Sequence, residues 1–193
     1  MSAVALMPSA SFAADSSSDG EVVAVTPVAN QLVIDGVTYG VAVLPDFDPS
    51  RDVVIAGAAA DSSAIGKSSP ADVSMTVGPD ALANQAGCSW YGFNIPGTGA
   101  TVTSVAGCSY IGFDHTVRAT YNWDRNFNSI GMPCMSGKGY YQNIAGTYIE
   151  YWGAFGCYRA SGNDTVAWGN VASSKQMRGY TSSALVGWIG QFS

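Results

Sequence analysis

The stretch GTYIEYWGAF, residues 146 to 155, holds the side chains best suited to chemistry in this sequence. Run as a strand, it places Tyr148, Glu150 and Trp152 on one face and Thr147, Ile149 and Tyr151 on the other. A carboxylate between two aromatic rings suits a sugar, because ring planes cover the apolar faces of a pyranose while the acid accepts hydroxyl hydrogens. The same pattern also serves a sheet that is merely stiffened by cross-strand aromatic contacts. Tyr148, Glu150 and Trp152 are therefore the expected ligand-binding set. A glycosidase would need a second carboxyl group about 5 to 9.5 Å from Glu150, and Asp124 and Asp164 are the candidates.

Other catalytic constellations are thin. His115 is the only histidine, which excludes a metal site with two imidazoles. A Ser-His-Asp triad could draw on His115 with Asp114 or Asp124, but the Asp114-His115 pair reads as a turn. Asp46, Asp48 and Asp52 are spaced like the start of a calcium loop, yet Ser50 and Arg51 stand where an EF-hand wants a ligand and a glycine. An Asx-turn is the better reading. No nucleophile elbow, phosphate loop, HExxH or dinucleotide fingerprint occurs. No cofactor, no metal and no nucleic-acid partner are expected, and an enzyme is the less favoured class.

Cys88, Cys108, Cys134 and Cys157 are even in number, widely spaced and free of CxxC pairs, which predicts two disulfides. Their neighbourhoods repeat: AGCSWYGFN at 86 to 94 and AGCSYIGFD at 106 to 114. Each copy continues into a turn and a second apolar strand, so the pattern predicts tandem hairpins forming a four-stranded meander. Cys88 and Cys108 would then lie two strand spacings apart, about 9.5 Å, beyond the reach of a disulfide. Each is accordingly expected to pair with Cys134 or Cys157. Equivalent copies would also orient Trp90 like Tyr110 and Phe93 like Phe113, in two layers joined by the bridges.

The elements that must position these groups are short strands. Val117, Ala119, Tyr121 and Trp123 alternate with Arg118, Thr120 and Asn122, the period of a half-buried strand. Further strands are expected in GTYIEYWGAF, CYRAS, TVAWGNV and ALVGWIGQF. In QLVIDGVTYGVAV, Asp35-Gly36 between β-branched runs predicts a hairpin over 31–43 with a type I′ turn. DVVIAGAAA reads as a short strand.

Composition divides the chain. Residues 1 to 87 hold ten acidic and two basic side chains, and residues 88 to 193 hold four and six. All four cysteines, all five tryptophans and nine of ten tyrosines fall in the second part. The expected organisation is a signal peptide or its remnant at 1–13, an acidic region at 14–56 with the hairpin, an Ala/Ser/Gly-rich linker at 57–86 that could hold a short strand, and a β-domain at 87–193. SAVALMPSASFAAD offers an apolar run and small residues before a cleavage point at Ala13, but no basic residue precedes it. The start therefore lies upstream, or the segment is a remnant.

The fold class expected is all-β, a disulfide-bridged antiparallel sandwich or barrel-like domain. Charged residues make up only 11% of the chain, too few to coat exposed helices, and no apolar run is long enough to span a membrane as a helix. The leading functional expectation is a secreted, non-enzymatic recognition module for a glycan, a cell-envelope component or an extracellular or cell-surface protein. An antimicrobial or toxin-like proprotein with an acidic leader is the second reading. A small polysaccharide hydrolase using Glu150 is the third.

Overall fold

The structure, a computed structural model, describes residues 21–34, 37–56, 74–77 (backbone alone), 88–126, 129–157, 160–182 and 185–193. The expected signal peptide, the expected type I′ turn and most of the expected linker lie outside the described residues. Within them the chain is all-β. In chain order the strands are β1 (Val23–Val25), β2 (Gln31–Ile34), β3 (Val37–Tyr39), β4 (Ala42–Val43), β5 (Val53–Ala56), β6 (Ser74–Val77), β7 (Tyr91–Ile95) and β8 (Val102–Thr103). There follow β9 (Ser109–Gly112), β10 (Arg118–Arg125), β11 (Pro133–Gln142), β12 (Tyr148–Gly156), β13 (Gly162–Ala167), β14 (Val171–Ser174), β15 (Met177–Thr181) and β16 (Trp188–Phe192).

They form four sheets, ordered β1-β12-β11-β15-β8, β13-β10-β16-β7, β4-β14-β9-β5 and β3-β2-β6. β2 and β3 pair as a hairpin, Ile34 facing Val37 and Leu32 facing Tyr39, but it is shorter than the expected 31–43, because Ala42–Val43 pairs with β14 in another sheet. β6 lies in the linker and pairs in parallel with β2. The acidic region is not set apart from the cysteine-bearing one. β1 pairs with β12, β4 with β14 and β5 with β9. A buried cluster around Leu32, Val43, Phe47 and Val53 is completed by Ile111 and Ala172 from the second region.

The meander is corrected. β7 pairs with β16, whereas β9 lies between β14 and β5 in another sheet. Each supposed hairpin turn instead carries the chain from one sheet to another, as at Asp114 to Thr116, where Asp114 Oδ1 accepts from Thr116 N at 2.6 Å. The disulfide pairing is corrected with it: the bridges are Cys88–Cys108 and Cys134–Cys157. The flat-meander distance does not apply, because Cys88 and Cys108 precede strands of different sheets where the chain converges, with Cα atoms 5.4 Å apart. The other bridge joins β11 to the end of β12. Equivalence of the copies fails too, since Trp90 is 49% exposed while Tyr110 is buried. Phe93 is core, whereas Phe113 is half-buried against Tyr39, ring centroids 4.6 Å apart.

Two of the sheets stack closely. One face of the five-stranded sheet presents Gly137, Gly139 and Gly153 beside Tyr151 and Phe155, and the β10–β13 pair packs onto it. A Cβ on Gly139 would stand 2.7 Å from the Ala167 carbonyl, so glycine is what permits the approach. Trp123 stacks on Phe155 with centroids 5.3 Å apart, and Tyr151 OH accepts from Ala167 N at 2.8 Å across the gap.

Candidate functional site

The opposite face of the same sheet carries the predicted residues. Register places Lys138 opposite Trp152, Tyr140 opposite Glu150 and Gln142 opposite Tyr148, all on one face by alternation. The face is not one open platform. The loop before Phe47 and strand β14 cover its middle, and clefts flank that cover.

In the middle, Lys138 is buried and its Nζ contacts Asp46 Oδ2 and donates to Gln176 Oε1 at 3.0 Å. Ser173 Oγ donates to Asp46 Oδ1 at 2.7 Å, Tyr140 OH meets Ser173 Oγ at 2.7 Å, and Tyr140 OH donates to Glu150 Oε2 at 3.5 Å. A polar chain thus runs Glu150, Tyr140, Ser173, Asp46, Lys138, Gln176. Burial raises the Glu150 carboxyl above its ordinary range; the Lys138 ammonium pulls it back in part, and the Asp46 charge raises it further. Burial likewise holds Tyr140 far above the usual phenol range.

Trp152 belongs to a cleft of about 530 Å³ that also contains Arg178, Glu21 and Thr103. The Arg178 guanidinium lies 4.0 Å from the Trp152 ring centroid, donates to Thr103 Oγ1 at 3.1 Å and pairs with Glu21 at 3.3 Å. One indole face is therefore already occupied by a cation.

Tyr148 belongs to a second cleft of about 560 Å³, with Tyr141, Gln142, Asp114, His115 and Asn170 among its walls. Tyr141 is exposed and Tyr148 half-buried. Hydrogen bonds from Thr116 hold the exposed Asp114 carboxyl below its usual range, so the rim carries an ionised acceptor. Asn170 Nδ2 donates to Gly40 O at 2.6 Å, while its Oδ1 is buried with no hydrogen-bond partner among the described residues. No protein family, curated protein or solved structure matches this chain. The clefts must be read from their own chemistry.

The structure separates the predicted trio: Tyr148 opens to one cleft, Trp152 to the other, and Glu150 turns inward between them. Asp124 and Asp164 sit on β10 and β13, in the neighbouring sheet, where Asp124 Oδ1 accepts from Ser161 Oγ at 2.6 Å. The carboxylate that acts on Glu150 is Asp46. Asp48 forms the expected Asx-turn, accepting from Ser50 N at 3.0 Å, and Asp52 accepts from Ser89 N at 3.2 Å. Among the described residues no group of three or more His, Cys, Asp or Glu could hold a metal. Sequence reasoning missed Lys138, Tyr140, Ser173 and Gln176, and it took Asp46 for part of a turn.

Proposed function

We propose that the protein is a secreted, non-enzymatic recognition module that binds a neutral saccharide in the Tyr148 cleft. The observation that carries this reading is the cleft in which exposed Tyr141 and half-buried Tyr148 stand beside polar side chains. Rings cover apolar ligand surface, and a few convergent polar groups fix its orientation. Gln142, Asp114 and His115 supply further hydrogen-bonding groups at the rim. Two disulfides fit an oxidising, extracellular setting. Among the described residues no helix is long and apolar enough to cross a membrane.

The test is a glycan-array screen of the intact protein, followed by titration of hits against variants. Tyr148→Ala should weaken binding about tenfold or more in a chain that circular dichroism shows to be folded, and Trp152→Ala should leave affinity unchanged. No binding to any glycan, or binding indifferent to Tyr148→Ala, would sink the proposal.

A further inference from the structure

We propose that Lys138 and Asp46 become joined by an intramolecular amide bond, formed by the protein itself, that ties the acidic N-terminal region covalently to the cysteine-bearing one. The two side chains are in direct contact, with the Lys138 side chain 2% exposed. Burying the Lys138 ammonium strips its hydration, a cost that offsets much of its attraction to Asp46. Condensation removes both charges. It leaves a neutral amide whose nitrogen end lies in the buried site.

The arrangement supplies what amide formation needs. Gln176 Oε1 accepts from Lys138 Nζ at 3.0 Å and so orients the amine towards Asp46. Ser173 Oγ donates to Asp46 Oδ1 at 2.7 Å, where negative charge develops when the carbonyl carbon is attacked. Behind Ser173 stand Tyr140 and then Glu150. Tyr140 OH links Ser173 Oγ to Glu150 Oε2, so a second carboxyl group stands two hydroxyls away from Asp46. Asp46 is 38% exposed on its outer side, which gives the departing water an exit.

The step balances without a co-reactant. One proton passes from the Lys138 ammonium to Asp46 Oδ2, and the resulting amine forms the N–Cγ bond. A tetrahedral centre results, with its charge on Oδ1 held by Ser173. A second nitrogen proton moves to Oδ2, the Cγ–Oδ2 bond breaks and water leaves. An ammonium and a carboxylate become one secondary amide and one water, with nothing oxidised or reduced.

Intact mass spectrometry of the reduced full chain decides the matter. The proposal expects a mass short by one water, a digest peptide linking the segments around residues 46 and 138, and restoration of the full mass in Lys138→Met. Both disulfides lie within residues 88–157. A protease site placed at Lys67 should therefore give fragments that stay together on a reducing, denaturing gel in the wild type and separate in Lys138→Met. Ser173→Ala should slow bond formation about a hundredfold. A wild-type chain of full mass would overturn the proposal, whatever its variants do. So would a lost water that maps to a succinimide at Asp35-Gly36, or a loss of ammonia, which would put the bond at Gln176.

Discussion

Lys175 shows how far burial alone can move a side chain's chemistry. It is 3% exposed, its Nζ donates to Thr120 O at 2.5 Å and it lies 4.6 Å from the Tyr121 ring centroid. Burial pulls its ammonium down from the usual lysine range to about 7. Between that value and the unfolded lysine pKa of about 10, the unfolded chain binds a proton that the native one does not, so stability rises with pH across the interval. The gain should be of order 4 kcal/mol in urea titrations, and Lys175→Met should flatten it. Above about pH 10 the buried tyrosines reverse the trend, because Tyr121 and Tyr140 keep protons that unfolded tyrosines lose. At the same scale the two motif phenylalanines separate. Phe93→Ala should cost about 3 to 5 kcal/mol and Phe113→Ala clearly less, measured by the same unfolding, because only Phe93 is fully within the core.

At the scale of elements, legibility followed burial on one face. β10 could be read because Val117, Ala119, Tyr121 and Trp123 are buried while Arg118 and Thr120 are exposed. β12 was legible from its aromatics. β11, the strand that carries Lys138 and Tyr140, was not. Both its faces are covered, so its alternation vanishes, and its sequence PCMSGKGYYQ substitutes glycines for the apolar residues a reader looks for. β14 hides differently: Ser173 and Ser174 are fully buried because Asp46 accepts from their hydroxyls, Ser174 Oγ reaching Asp46 O at 2.5 Å. CYRAS gave no strand among the described residues, and TVAWGNV broke at Trp168 into β13 and β14. The glycines of β11 have a testable role. Gly139→Ala should destabilise by about 1 to 3 kcal/mol in chemical unfolding, because the Ala167 carbonyl it would meet is backbone and cannot swing aside.

On the scale of the whole molecule, the sharp change in charge at residue 87 is not a boundary in the fold. Composition reports which side chains a segment carries, whereas strand pairing across long sequence separations leaves no trace in composition. No spacing in the sequence joins positions 46, 138 and 173, and the repeated cysteine motif pointed to a local pairing that the sheets do not use. Loops of the acidic region reach both sites: Gly40 O fixes Asn170 beside the Tyr148 cleft, and Asp46 holds Lys138 and Ser173. Hydrogen exchange on the intact protein tests that integration most directly. The account predicts that amides of β4 and β5 are protected to the same degree as those of β9 and β14 and open with them in one cooperative unfolding event. Amides of β4 and β5 exchanging at unfolded-chain rates, or opening in a separate transition while β9 and β14 stay protected, would contradict it.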